Sequence, residues 1–72
     1  MRRVVSYKIQ AKKAGVNISN SNYFIDESKG NFKISSEDKS LGIYSTLPDA
    51  RRAIIEYVYQ NGATGISFFS MI

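Results

Sequence analysis

Seventy-two residues, 43% of them hydrophobic and 22% charged, describe one small globular domain rather than a disordered chain. Ten Lys and Arg against six Asp and Glu leave a net charge of +4, a basic balance that suits a polyanionic partner. Cysteine and histidine are both absent, which excludes disulfides, thiolate chemistry and the commonest acid–base group and metal ligand.

A chain of this length, read as a single domain over residues 1–72, has to draw its stability from packing, or from packing plus self-association. The charge is unevenly spread. Residues 1–13 hold Arg2, Arg3, Lys8, Lys12 and Lys13 with no carboxylate, while Asp26, Glu27, Glu37 and Asp38 cluster further on. A basic end is a candidate polyanion footprint, and its plainer counterpart is a solvated edge strand whose lysines discourage aggregation. The apolar run Val4-Val5 is too short for a signal peptide, and no stretch is long enough to span a membrane, so a cytoplasmic protein without membrane contact is expected.

In chain order, Val5, Tyr7, Ile9 and Ala11 alternate with Ser6, Lys8, Gln10 and Lys12, the two-residue period of a half-buried strand. Lys13-Ala14-Gly15 ends it. Residues 17–22, rich in Ser and Asn, read as a loop. Tyr23-Phe24-Ile25 opens a second strand, with a turn at Ser28-Lys29-Gly30-Asn31, where glycine supplies the positive φ of a tight hairpin. Phe32 and Ile34 mark one face of a third strand ending at Ser35. Ser36 to Lys39 form a polar turn, and Leu41-Gly42-Ile43-Tyr44 a fourth strand. Such short connections predict an antiparallel meander.

A helix follows from about Leu47 to Gln60. Thr46 can cap it, Pro48 lies in the first turn, and Ala50, Ala53, Ile54, Tyr57 and Val58 form one apolar stripe. Asn61-Gly62 is the stop signal. The tail from Gly65 is apolar in both parities, with Ile66, Phe68 and Ile72 on one and Phe69 and Met71 on the other. A strand of that kind wants cover on both faces. Either a partner molecule covers the second face, or the tail is a central strand beside the first with Phe69 and Met71 under the N-terminal loop. The expected fold is therefore α+β, a small antiparallel sheet of four to five strands on one helix, in the order β-β-β-β-α-β.

No catalytic constellation is visible. Asp26-Glu27 and Glu37-Asp38 are adjacent pairs whose members point to opposite faces of a strand, so they do not converge on a metal. The serines have no base partner beyond lysine. A non-enzymatic protein without cofactor, metal or small-molecule ligand is expected.

Gly30-Asn31-Phe32-Lys33-Ile34, then Leu41-Gly42-Ile43-Tyr44-Ser45-Thr46, then Asp49-Ala50-Arg51-Arg52-Ala53, are similar in layout to a known module. The run resembles the three-stranded-sheet-plus-helix DNA-binding domains of the plant ethylene-response type and the arm-type domains of phage integrases. Small prophage proteins share that architecture. The resemblance, over residues 30–58, implies that the sheet face opposite the helix meets DNA.

Two functions follow. One is a protein-interaction or inhibitor module of phage type, working through the sheet face and the C-terminal strand, with Phe69, Met71, Tyr23 and Tyr59 as interface residues and Phe24 and Tyr44 as further aromatics. Its partner is another protein or a second copy in a homodimer. The alternative is a nucleic-acid-binding module contacting phosphates through Arg2, Arg3, Lys8, Lys12, Lys29, Lys33 and Lys39. The outer face has no arginine or tryptophan on its central strands, and Asp26 or Glu27 sits where phosphate is repelled; the acidic turn and the missing arginines tip the reading towards the protein partner.

Overall fold

The computed structural model describes residues 2–37 and 39–70. The expected α+β fold is present: strands β1 (Arg2–Lys13), β2 (Val16–Ser28), β3 (Asn31–Ser36) and β4 (Lys39–Tyr44), helix α1 (Leu47–Gln60), and strand β5 (Gly65–Ser70). All neighbouring strands are antiparallel, in the spatial order β4-β3-β2-β1-β5.

The stretch 17–22 is strand, not loop. Ala14 and Gly15 take φ of 52° and 81°, positive at both central positions of a two-residue hairpin, which matches the twist of the flanking strands. That turn starts β2 at Val16, and the backbone of Asn17–Asn22 pairs with β1 from Lys12 back to Lys8. Cross-strand pairing thus overrides the turn preference of Asn and Ser. Lys29 and Gly30 repeat the same φ values at the expected second turn.

The sheet is staggered. β1 and β2 run 12 and 13 residues, whereas β3, β4 and β5 have six each. β3 flanks only Tyr23–Ser28 of β2, and β5 flanks only Tyr7–Lys12 of β1, on the opposite side of the hairpin. The tail is consequently an edge strand rather than a central one. Thr64 fixes its start: its backbone N–H donates to Lys12 O at 2.8 Å, and its hydroxyl accepts from Ala14 N at 3.1 Å.

One helix covers one face. Thr46 Oγ1 accepts from the Asp49 backbone N–H at 3.2 Å, Pro48 occupies the first turn, and Asn61 Nδ2 donates to Tyr57 O at 2.8 Å at the other end. Ala50, Ile54 and Val58 are buried at four-residue spacing, as the stripe requires. They meet Ile9, Ala11, Tyr23, Ile25 and Ile34 from the three central strands, with Ile25 and Ile54 fully excluded from solvent. No helix among the described residues is long and apolar enough to cross a membrane.

Candidate functional site

The second face of the sheet carries no helix among the described residues, and the strand register says which side chains stand on it. Ile9, Ala11, Tyr23, Ile25 and Ile34 point to α1, so the residues between them point away. One row across the sheet reads Arg3–Asp26–Lys33–Ile43, the next Ser6–Phe24–Ser35–Ser40. Further along β1, Phe69–Lys8–Asn22 and Ser67–Gln10–Asn20 follow, and Lys12 pairs with Gly65 and Asn17. β1 is the spine of this open face. From Arg3 to Lys12 it spans roughly 27 Å at the usual strand rise, allowing for the bulge between Arg3 and Val5.

The carboxylates sort unevenly between the two sides. Asp26 is the acidic group of the open face among the described residues, and it is already occupied. Arg3 Nε donates to Asp26 Oδ1 at 2.9 Å and Arg3 Nη2 reaches Oδ2 at 3.4 Å, while the guanidinium carbon lies 4.3 Å from the centre of the Phe24 ring. Hydrogen bonding to Asp26, against some desolvation and with the attraction of its charge, raises the Arg3 pKa. Asp26 is 9% exposed, so this charge lies below the surface that a ligand would meet. Glu27 sits in the opposite parity, paired with Phe32, and its Oε1 receives Arg2 Nη2 at 2.9 Å. The expected repulsion of phosphate by Asp26 and Glu27 is therefore offset by two arginines.

Lys8, Lys12 and Lys33 have no carboxylate within ion-pair distance among the described residues. They stand on the open face with Gln10, Asn20, Asn22 and the serines as hydrogen-bonding groups. Phe69, half exposed at 50%, lies directly beside Lys8. Phe24 is partly buried beneath Arg3.

Not every residue singled out from the sequence joins this face. Lys39 belongs to the helix side: it pairs with Ser36, and its Nζ lies 5.8 Å from the centre of the Tyr57 ring on α1. Lys29 stands at the tip of the β2–β3 turn, and Arg2 at the helix-side end of β1. Tyr23 is not available as a contact residue. It is 6% exposed, packed edge-on to Tyr57 with ring centres 6.4 Å apart, and burial pushes its hydroxyl pKa up, with help from Tyr57 and against hydrogen bonds to Ser21 and Ser36. Tyr59 is 44% exposed on the helix, across the sheet from Phe69. Met71 lies outside the described residues. Phe24 is the aromatic whose position on this face was legible: its parity is opposite to that of Tyr23 and Ile25.

A groove of about 660 Å³ lies elsewhere, on the helix side, reaching from Ala11 and Ser21 to Tyr57 and Asn61. Glu37 and Lys39 both line it, so it has no charge preference comparable to that of the open face. No group of three or more acidic side chains that could hold a metal occurs among the described residues.

Set against family models, curated proteins and solved structures, the chain matches none of them.

Proposed function

We propose that this chain is a non-enzymatic binding module whose open sheet face takes single-stranded nucleic acid. The observation that carries the reading is the segregation of charge. Lys8, Lys12 and Lys33 face outward without an ion-pair partner among the described residues, and the face's carboxylate, Asp26, is held by Arg3. Lysines spaced along β1 and β3 neutralise backbone phosphates and release counterions. Phe69 beside Lys8 offers a ring on which a base can stack. A single strand is favoured because an exposed ring beside a lysine suits an unstacked base. Arg3, which could have read a base edge with its paired donors, spends them on Asp26, so binding is insensitive to sequence.

The test is fluorescence anisotropy with a labelled oligothymidine across a salt series. Three to four phosphate contacts give a slope of log K against log salt of about −2 to −3. Replacing Lys8, Lys12 and Lys33 together by glutamine should abolish binding, while Lys29→Gln with Lys39→Gln should leave most of it. No binding at low salt, or equal losses in the two variants, would end this reading.

A second reading, contact with protein through the C-terminal strand, is favoured by a separate observation: β5 is an apolar edge strand without a charged residue.

A further inference from the structure

Edges of sheets present unpaired N–H and C=O groups, and proteins normally blunt them with charge, proline or a bulge. Four stretches of edge are open among the described residues, and they differ. The N-terminal part of β1, before Tyr7 and beyond the reach of β5, carries Arg2, Arg3 and a register shift between Arg3 and Val5. β4 carries Lys39 and a register shift next to Leu41. The far part of β2, from Asn17 to Asn22, lies beyond β3, is polar, and has its own register shift opposite Ala11 and Lys12. β5 has none of these devices. Gly65-Ile66-Ser67-Phe68-Phe69 contains no charge and no proline, and its pairing with β1 runs without a shift from Lys12 to Tyr7.

From this asymmetry we propose that β5 pairs with the β5 of a second copy of this chain, antiparallel about a two-fold axis at Ser67. The strand complements itself in that register. Ile66 of one copy stands opposite Phe68 of the other on the helix side, and Phe69 opposite Gly65 on the open side. There the glycine offers space, since no atom lies within 4 Å of where its Cβ would be. The half-exposed Phe69 ring covers the bare backbone of the second copy's glycine, a pairing that stabilises edge glycines in sheets. Phe68 is already held in place by Tyr7, edge-on with ring centres 4.9 Å apart, and by the Arg51 guanidinium 5.6 Å from its ring centre. Ser67 meets Ser67, a pair of small hydroxyls.

On the open face, charge does not oppose this approach. The cations nearest the axis on the open face are Lys8 and Lys12, one strand inward. Lys8 of one copy and Lys12 of the other are separated by three strand spacings, about 14 Å, beyond the screening length of about 8 Å at physiological salt. A polar or foreign strand would fit the edge less well, because it would leave Phe69 without the glycine beneath it.

The two-fold axis stands perpendicular to the sheet, so both helices fall on one side and both open faces on the other. The dimer is a ten-stranded sheet in which the two lysine tracks form one surface. The pairing stands on the edge alone; this last consequence rests on the nucleic-acid reading above.

The chain contains no cysteine, which makes the geometry directly testable. Ser67→Cys places two thiols across the axis within disulfide reach, whereas Ser40→Cys marks the β4 edge as a control. Mild oxidation should convert the Ser67→Cys protein to a covalent dimer and leave Ser40→Cys largely monomeric. Light scattering on the full chain, without nucleic acid, should give twice 8.1 kDa, and Ser67→Lys should halve it while retaining the native far-UV circular dichroism. A wild-type mass of 8.1 kDa at millimolar concentration, cross-linking no faster at Ser67 than at Ser40, or a folded Ser67→Lys dimer would each overturn the proposal. A monomer that still binds oligonucleotide would end this inference and spare the open-face reading. A dimer that binds none would do the reverse.

Discussion

Replacing Asp26 by asparagine separates binding from stability, because the two should move in opposite directions. The side chain is an isostere, so packing is kept while one negative charge is lost. Arg3 then loses its charged partner at 2.9 Å, and the open face goes from three net positive charges to four. One more phosphate contact steepens the single-strand salt slope by about 0.7 and tightens binding about fivefold at 0.1 M salt. The thermal midpoint should fall at the same time, since a nearly buried amide is a weaker acceptor for guanidinium than a carboxylate. Anisotropy with oligothymidine over a salt series, beside a thermal melt of the same sample, reads both quantities. Glu27→Gln is the internal control: that carboxylate lies in the helix-side parity with Arg2 and should change the slope less. An Asp26→Asn protein that binds no more tightly, with an unchanged slope, would refute the charge argument for the open face.

Other outcomes test separate parts of the account. Phe69→Ala should cost about 1–3 kcal/mol of single-strand affinity through lost stacking, measured by titration at fixed salt. Ile25→Ala empties a fully buried position facing α1 and should cost about 2–5 kcal/mol in urea unfolding, a large part of the total for a domain of this size. Thr46→Ala removes the acceptor for Asp49 N and should cost about 1 kcal/mol by the same assay. Tyr23 has its pKa raised by burial above the ordinary value of 10.0, so its contribution to stability is intact below that pH. It is lost as pH rises and tyrosinate forms, first in the unfolded chain. Tyr23→Phe should therefore flatten the decline in stability above about pH 10, followed by denaturant midpoints at stepped pH.

The elements were legible where one hydrophobic period dominates. The helix from Leu47 to Gln60 combined a cap, a proline and an unbroken apolar stripe, and the structure places it over those residues. Phe32 and Ile34 announced β3 in the same way. The segment from Asn17 to Asn22 did not, because it has almost no apolar alternation and is a strand through its pairing with β1. Of the two readings of the tail, the structure overturns the central position. Its two apolar faces suggested a central position, yet the register with β1 leaves it at the edge with Phe69 half exposed.

Face assignment was the harder part of the site. Register shifts next to Val4 and Leu41 change which parity faces the helix, and nothing in composition marks either one. Lys39 thus lands over Tyr57 while Lys33 faces outward. The pairing of Arg3 with Asp26 joins residues on two strands, and only the register reveals it. Tyr23 could have been placed from the sequence, since it shares parity with the buried Ile25.

The most direct measurement of the central claim is a titration of isotopically labelled protein with oligothymidine, followed by backbone amide NMR. The account predicts that shifts concentrate at Ser6, Lys8, Gln10, Phe24, Lys33, Ser67 and Phe69, with Ala53, Glu56 and Tyr59 of the helix unmoved. Perturbations confined to α1 or to the groove beside Tyr57, or none at low salt, would contradict it.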